Sequence, residues 1–326
     1  MKPESRSVAV MVMLGALVSL ALVTGAVAQA PIGAPEQSVV RVGLIPIASL
    51  TPIYAGDKLG YFKEEGLAIE RKIIATSPDQ IAALSGGSVD VAYGNVVTAI
   101  FAQVQGYDLR IVASHTRAHE AAPDNGGLVV KAESPIRALK DLEGKKVATN
   151  SLKDYNYLLD RAHLEKHGVD PNKVQWTEAR FQHMAEALLS DRIDAAHMVE
   201  PFLTVILQGG KARVLSWPNV DIWPGIEIAP FFASEKWLKT HPNTIRRFVR
   251  ALQRTDDYLN GNRAEKVKFT AEFTKMEPPL VEKMTLDVWR VKVEPRGIQF
   301  LIDRMVREKL LERSVQAEAL VYDTAR

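Results

Sequence analysis

The sequence predicts an α/β protein of two lobes, each a mostly parallel sheet flanked by helices, with a helical C-terminal tail. Three observations predict this fold class. Short apolar runs alternate with helical segments from residue 39 onward, which is typical of βαβ units. A stretch near residue 83 recurs about a hundred residues later. Beyond residue 235 the strand-like runs stop and helical patterns continue to the end of the chain.

The repeated stretch is ALSGGSVDVAYGN, residues 83–95, and its echo is ALLSDRIDAAHMVEP, residues 187–201. At a constant offset of 104 residues (187 − 83), the alanine, leucine, aspartate and alanine at positions 83, 84, 90 and 92 recur at 187, 188, 194 and 196. In each copy an apolar helix ends, a short strand follows and a new helix begins. In open parallel sheets, ligands lie beyond the carboxyl ends of the strands. The repeat therefore predicts two facing rims with a cleft between them.

The first lobe is predicted to comprise residues 36–132 and 224–326, and the second lobe residues 133–223. Strands are expected at 39–47, 68–74 and 109–115, and the run LVVK at 128–131 is expected to be the last strand of the first lobe before the chain crosses. In the second lobe, strands are expected at 147–150 and 213–217. A helix between them is expected to have Ser151 as its N-cap and Gly168 just past its end.

The helical tail begins with TIRRFVRALQRTDDYL, residues 244–259. Apolar residues recur there at helical spacing, which indicates one buried face. Prolines break the later helices at 278–279 and at 295. The residues of the apolar face are Ile245, Phe248, Val249, Leu252 and Leu259.

Residues 1–28 are typical of a signal peptide cleaved after Ala28. Lys2 and Arg6 precede an uncharged, mostly apolar run at 8–23, and Ala26-Val27-Ala28 provides a small-residue cleavage site. A membrane-spanning helix needs about 20 apolar residues, so an uncleaved anchor is the less favoured alternative. The chain has no cysteine to carry a lipid anchor. A soluble protein of the periplasm is therefore expected.

The charge pattern argues against a nucleic-acid partner, and the absence of known catalytic motifs argues against an enzyme. The net charge is +2, and Arg246, Arg250 and Arg254 on one helix face are typical of a solvated surface. The motifs G-x-S-x-G, G-x-G-x-x-G and G-x-x-x-x-G-K-[ST] are absent. His163 and His167 lie one helical turn apart, but the glutamate between them is not at the position that H-E-x-x-H requires. Neither a metal nor a cofactor is expected.

Four stretches in order resemble a known family: GLIPIASLTPIYAGDKLGYFKEEGLAIE, ALSGGSVDVAYGN, DLEGKKVAT and MVEPF. They look like the periplasmic substrate-binding proteins of ABC importers, in the group that handles sulfonates, taurine, nitrate and the pyrimidine precursor of thiamine. The resemblance covers essentially the whole mature chain. It implies a type II clamshell in which the second lobe interrupts the first, a ligand in the inter-lobe cleft, and an inner-membrane ABC permease as partner. A monomer is expected.

The family's thiamine-precursor synthases share the fold but use a cysteine-rich iron motif, which this cysteine-free chain lacks. A non-enzymatic receptor is therefore expected. An exported enzyme or a sensor on the same fold stays open as the alternative class.

The resemblance also implies a set of ligand-binding residues. Helix starts at Thr51, Asn95 and Ser151 offer N–H donors, which favours a sulfonate or an aromatic carboxylate. Glu200 keeps an aminopyrimidine open, because a carboxylate accepts hydrogen bonds from ring amino groups; otherwise Glu200 caps its own surroundings. The full set is Ser49, Thr51, Tyr54, Ser77, Gly94, Asn95, His115, Thr149, Asn150, Ser151, Tyr155 and Glu200.

Overall fold

The computed structural model describes residues 32–326. The predicted signal peptide lies outside the described residues. The strands are β1 Val39–Leu44, β2 Ala68–Ile73, β3 Val91–Tyr93, β4 Leu109–Arg117, β5 Gly126–Lys131, β6 Lys146–Thr149, β7 Gln175–Glu178, β8 Ala195–Val199, β9 Ala212–Ser216 and β10 Glu227–Ser234.

These strands form two five-stranded sheets with equivalent arrangements of parallel and antiparallel strands. The first sheet has the order β2-β1-β3-β10-β4 and the second the order β7-β6-β8-β5-β9. In the first sheet β1 runs parallel to β2 and β3, and β10 is antiparallel to both of its neighbours. In the second sheet β6 runs parallel to β7 and β8, and β5 is the antiparallel strand. Each sheet is thus mostly parallel, as predicted.

Helices flank both sheets, and the C-terminal part of the chain is helical. Short 3-10 turns lie at 48–50, 139–142, 171–173, 317–320 and 323–325. The α-helices are α1 Thr51–Lys58, α2 Tyr61–Glu64, α3 Ser77–Ser85, α4 Val96–Val104, α5 Tyr155–Lys166, α6 Phe181–Leu189, α7 Phe202–Gln208, α8 Pro218–Ile222, α9 Glu235–Thr240, α10 Pro242–Gly261, α11 Arg263–Thr274, α12 Pro278–Val281 and α13 Pro295–Arg307.

The expected strand at Leu128–Lys131 exists, but it belongs to the second sheet and not to the first. It is part of β5, which pairs with β8 and β9. The chain therefore crosses between the sheets over residues 118–125, before this strand, and returns over residues 217–226. An apolar run predicts a strand but carries no information on which sheet will supply its hydrogen-bonding partners. The boundary expected at 132/133 lies on the wrong side of β5.

The apolar face predicted for the helical tail packs inward on α10. All five of its predicted residues are buried, and Phe248 stacks on Phe62 of α2 with ring centroids 5.5 Å apart. On the opposite face, Arg250 pairs with Glu65 and Arg254 with Glu64. The prolines at 278 and 295 each begin a helix, because their missing N–H and fixed φ suit a first turn. Among residues 32–326, no helix is long and apolar enough to cross a membrane.

Candidate ligand-binding site

A cavity lies between the two sheets, at the ends of their central strands. Its wall is formed where the parallel strands β1, β3, β6 and β8 end and where the antiparallel strands β5 and β10 begin. This is the edge at which open α/β sheets place their ligands. The cavity has a volume of about 60 Å³. It is lined by Ile45, Ile47, Ser49, Ser77, Tyr93, Asn95, Thr116, Asn125, Asn150, Asp154, Tyr155, Asn156, Phe181, Val199, Asn219, Ile228 and Ala229.

On the side of the first sheet, Asn95 and Ser77 form a linked polar pair. Asn95 is the N-cap of α4, and its Oδ1 accepts a hydrogen bond from the Thr98 N–H at 2.8 Å. The Asn95 Nδ2 donates to Ser77 Oγ at 3.0 Å, and the Asn95 backbone N–H donates to the same oxygen at 2.9 Å. These bonds fix both side chains at the cavity wall.

Gly94 lies in close packing beneath that pair. A Cβ at position 94 would lie 3.0 Å from Phe232 Cζ and 3.1 Å from Ser77 Oγ. A larger residue would therefore require Phe232 or Ser77 to shift by a few tenths of an ångström. Gly94 itself does not line the cavity. Its contribution to the site is to let Ser77 and Asn95 approach each other.

On the side of the second sheet, Asn150 follows β6 and Asp154 caps α5. Asn150 lines the cavity, and its buried Oδ1 has no hydrogen-bond partner among residues 32–326, which leaves it an unused acceptor. Asp154 is the N-cap of α5 and accepts from the Tyr157 N–H at 3.0 Å. Burial raises the pKa of Asp154 to about 7, although the hydrogen bond from Tyr157 lowers it in part. Near neutral pH this carboxyl group can therefore accept a proton or a hydrogen bond from a ligand.

A chain of hydrogen bonds orients Asn219 at the wall nearest the crossing segments. The Tyr155 hydroxyl donates to Asn219 Oδ1 at 3.2 Å, and Asn219 Nδ2 donates to Asp124 Oδ2 at 2.8 Å. Asp124 also accepts from the His119 N–H at 2.9 Å. Asn219 lies on α8 in the returning crossing segment, and Asp124 lies in the outgoing one. The network therefore ties both crossing segments to the cavity.

Three further polar side chains complete the wall: Asn125, Tyr93 and Thr116. Asn125 lies just before β5, and its Nδ2 donates to the buried Asp287 carboxylate. Tyr93 and Thr116 share a hydrogen bond of 2.7 Å between their hydroxyl groups. Each of these pairs is buried, so the ligand-facing geometry is set by contacts within the protein.

The cavity carries acidic but no basic side chains. No lysine, arginine or histidine is among its lining residues in the described part of the chain. Burial also raises the pKa of Asp124, Asp287 and Glu227 around it, and that of Glu227 to about 7. A buried anion without a cationic partner is strongly disfavoured, whereas hydrogen-bond donors would find acceptors here. The wall is therefore suited to a neutral or cationic ligand with N–H or O–H donors.

Five of the twelve residues expected from sequence come together in this wall: Ser49, Ser77, Asn95, Asn150 and Tyr155. The other seven do not line the cavity. Thr51 is fully buried; its hydroxyl donates to the Ala48 carbonyl at 2.8 Å, and its Oγ1 lies 3.1 Å from Thr270 Oγ1. The Tyr54 hydroxyl donates to Glu272 at 3.2 Å on α11.

His115 lies behind the wall. Its Nε2 is 2.8 Å from the Ser49 carbonyl oxygen, and Trp289 Nε1 donates to that same oxygen at 2.8 Å. Burial lowers the pKa of His115 to about 3, although the bond to Ser49 raises it in part. A neutral histidine therefore positions the loop that carries Ser49 without facing the ligand.

Glu200 caps its own surroundings, which is the second of the two roles considered for it. Its carboxylate accepts from the Thr204 N–H at 3.1 Å, the Thr204 hydroxyl at 2.8 Å and the Thr285 N–H at 3.2 Å. Burial raises its pKa to about 7 despite these bonds. It is not among the residues that line the cavity.

The N-cap expected at Ser151 lies instead at Asp154. Lys153 has a φ of 60°, so the backbone turns between the two positions and α5 begins only at Tyr155. The Ser151 hydroxyl lies 3.4 Å from Glu178, and the Thr149 hydroxyl donates to the Ser151 carbonyl at 3.0 Å. Asp154 carried an N-cap signal of its own, as a small acceptor before a helical run. Asn125 and Asn219, in the crossing segments, gave no sequence signal of a site.

Comparison with known proteins places the chain in a family. The family described as NMT1/THI5 like matches residues 47–265. The chain belongs to this family. A Brucella abortus (strain 2308) protein named as a binding protein is 26% identical over 245 residues, which are 74% of each chain. The Saccharomyces cerevisiae (strain S288c) 4-amino-5-hydroxymethyl-2-methylpyrimidine phosphate synthase THI11 is 25% identical over 242 residues, 70% of this chain and 68% of the yeast protein.

A solved structure shows the same architecture. The alkanesulfonate-binding protein of Xanthomonas axonopodis pv. citri, bound to MOPS, superimposes with a TM-score of 0.77 and 19% identity. The match covers 88% of this chain and 98% of that one. At this identity the likeness is one of fold, and it confirms the predicted periplasmic-binding-protein class. The structural neighbours of this NMT1/THI5-like protein include a ligand-binding component of an ABC-type import system from Staphylococcus aureus and a periplasmic nitrate-binding protein from Synechocystis.

Proposed function

We propose that this NMT1/THI5-like protein is a periplasmic solute-binding receptor that captures a small polar organic molecule and delivers it to an inner-membrane ABC permease. One observation carries the proposal: a cavity between the two sheets takes hydrogen-bonding side chains from both of them. Asn95 comes from the first sheet and Asn150 from the second. A molecule held by both would join the lobes, as an importer's receptor requires.

The wall favours an aminopyrimidine over a sulfonate or an aromatic carboxylate. The sequence favours the anionic ligands, because helix starts offer N–H donors. Here the N-caps Asn95 and Asp154 already take up N–H groups of α4 and α5. The unpartnered Asn150 Oδ1 and the Asp154 carboxyl are acceptors, and an aminopyrimidine supplies an exocyclic amino group as donor. A yeast relative is named as a 4-amino-5-hydroxymethyl-2-methylpyrimidine phosphate synthase, which supports this ligand class.

An enzyme on the same fold is the second candidate, because of that yeast relative. The described cavity has one carboxyl group, Asp154, and its serines Ser49 and Ser77 have no basic side chain beside them in the lining. A serine nucleophile needs an adjacent general base. The geometry therefore supports binding without turnover.

A thermal-shift panel tests the receptor and its ligand class together. It includes 4-amino-5-hydroxymethyl-2-methylpyrimidine, an alkanesulfonate, an aromatic carboxylate and nitrate. A ligand at one hundred times its dissociation constant stabilises the folded state by about 2.7 kcal/mol. The pyrimidine is expected to raise Tm and to be recovered unchanged from the protein. If only the anions raise Tm, the ligand class is wrong; if the pyrimidine is recovered as a product, the receptor role is wrong.

A further inference from the structure

A second cluster of ligating side chains lies on the outer part of α5, away from the cavity. His163 Nδ1 is 3.0 Å from Asp221 Oδ2, and His167 Nε2 is 3.1 Å from the same oxygen. His163 lies in the last turn of α5, His167 is the C-cap residue four positions later, and Asp221 lies on α8. Their imidazole rings meet edge to face, with centroids 4.9 Å apart.

We propose that His163, His167 and Asp221 form a binding site for a divalent transition metal ion such as Zn²⁺. The three candidate ligand atoms lie within 4.8 Å of one another. Ligands of a tetrahedral zinc ion, at about 2.0–2.1 Å from the metal, are separated by about 3.3 Å. Small side-chain rotations therefore suffice to place an ion between them. Two histidines at i and i+4 on a helix, with a carboxylate from another element, are a ligand set that zinc uses.

The environment of the cluster suits a metal ligand set. The side chain of His163 is only 3% exposed, whereas those of Asp221 and His167 are 33% and 45% exposed. The site is thus anchored in the protein and open on one side, where water can complete the coordination.

Lys166 is the competing group. Its Nζ lies 3.2 Å from Asp221 Oδ2 and also donates to the Asp221 carbonyl. Its side chain is 48% exposed, so it can swing into solvent when a cation takes its place. The metal and the Lys166 ammonium would therefore exclude each other, and removing the ammonium should favour the metal.

A metal ion bound at this site would link α5 to α8, the helix of the returning crossing segment. Tyr155 on α5 and Asn219 on α8 are hydrogen-bonded to each other in the cavity wall. The metal would thus reinforce a contact between two helices that also meet at the cavity. This inference does not depend on the identity of the cavity ligand.

Calorimetric titration of the chelator-treated exported protein, purified without a histidine tag, with Zn²⁺ alone tests the site. The wild-type protein is expected to bind one ion with a micromolar Kd. His167→Gln and Asp221→Asn should each weaken binding at least tenfold, and Lys166→Gln should strengthen it. His183→Gln, an exposed histidine on α6, is the matched control and should change nothing.

Two results would overturn the proposal. One is the lack of saturable Zn²⁺ binding by the wild-type protein. The other is an affinity that His167→Gln leaves unchanged or that His183→Gln reduces as much. Because His167 and Asp221 are partly exposed, both variants should fold, and circular dichroism before titration checks this.

Discussion

Asp90 and Asp194, one beside each sheet, hold the neighbouring strand in the same way. The Asp90 N–H donates to the Arg41 carbonyl at 2.8 Å, and its carboxylate accepts from the Arg41 N–H at 2.9 Å. The Asp194 N–H donates to the Lys146 carbonyl at 2.9 Å, and its carboxylate accepts from the Lys146 N–H at 2.8 Å. The sequence repeat at an offset of 104 residues therefore has a structural basis: each aspartate ties a short central strand to its parallel neighbour.

The two aspartates should differ in their contribution to stability. Asp90 is 3% exposed and also forms an ion pair with Arg41 at 2.6 Å, whereas Asp194 is half-buried. Asp90→Ala leaves the Arg41 backbone N–H and the 35% exposed Arg41 guanidinium without this acceptor, whereas Asp194→Ala removes the acceptor of one backbone N–H. We expect Asp90→Ala to lower the free energy of unfolding by about 2–3 kcal/mol and Asp194→Ala by about 1 kcal/mol. Urea unfolding measures both, and equal losses would contradict the distinction.

Asn150 should be a main determinant of ligand affinity. Its side chain lines the cavity, and its Oδ1 has no hydrogen-bond partner among residues 32–326. Loss of one such hydrogen bond is worth about 1–1.5 kcal/mol, so Asn150→Ala should weaken binding of 4-amino-5-hydroxymethyl-2-methylpyrimidine about tenfold. Ser151→Ala should leave the Kd within about twofold, because its hydroxyl is directed to Glu178. Calorimetry decides, and a greater loss from Ser151→Ala would restore the sequence-based assignment.

Much of the site's scaffold could be predicted from sequence, and its polar wall only in part. The repeat and the strand–helix alternation located the edge where Asn95 and Asn150 lie. Thr51 follows the first predicted strand just as Ser49 does, and His115 ends the strand predicted at 109–115. Whether such a side chain faces the cavity or bonds to Thr270 or to a backbone carbonyl depends on packing between elements distant in sequence. The local sequence pattern carries no information on that packing.

Asp154 should make stability depend on pH. Burial raises its pKa from 3.8 to about 7, so the folded protein binds a proton that the unfolded chain has released between these values. Stability then falls as pH rises through this window, by up to about 1.4 kcal/mol per pH unit for one carboxyl group. Glu200 and Glu227 contribute with the same sign, each from 4.5 to about 7.

Asp154→Asn isolates this contribution, because asparagine is an equally good N-cap. Between pH 5 and pH 7 the variant should lose less stability than the wild-type protein, with a difference of about 1–3 kcal/mol in the free energy of unfolding. Urea unfolding at several pH values measures it. Parallel curves for the two proteins would show that Asp154 is ionised in the folded state throughout.

Glu200 should matter for folding and not for ligand specificity. Its side chain accepts two hydrogen bonds from Thr204 and one from Thr285, and none of these three residues lines the cavity. Glu200→Ala should lower the free energy of unfolding by about 1–3 kcal/mol. The Kd for the pyrimidine should change little. The exposed Glu282→Ala is the control for stability, and a selective loss of pyrimidine affinity in Glu200→Ala would make Glu200 the anchor after all.

The central claim is that a solute is held between the two sheets by side chains from both. A crystal structure of the protein with the panel ligand that most raises Tm tests this most directly. The ligand is expected between Asn95 and Asn150, with a donor facing the Asp154 carboxyl. The claim would be contradicted if the ligand instead occupied the surface groove lined by Arg180 and Arg192 on the second lobe while the inter-sheet cavity stayed unchanged.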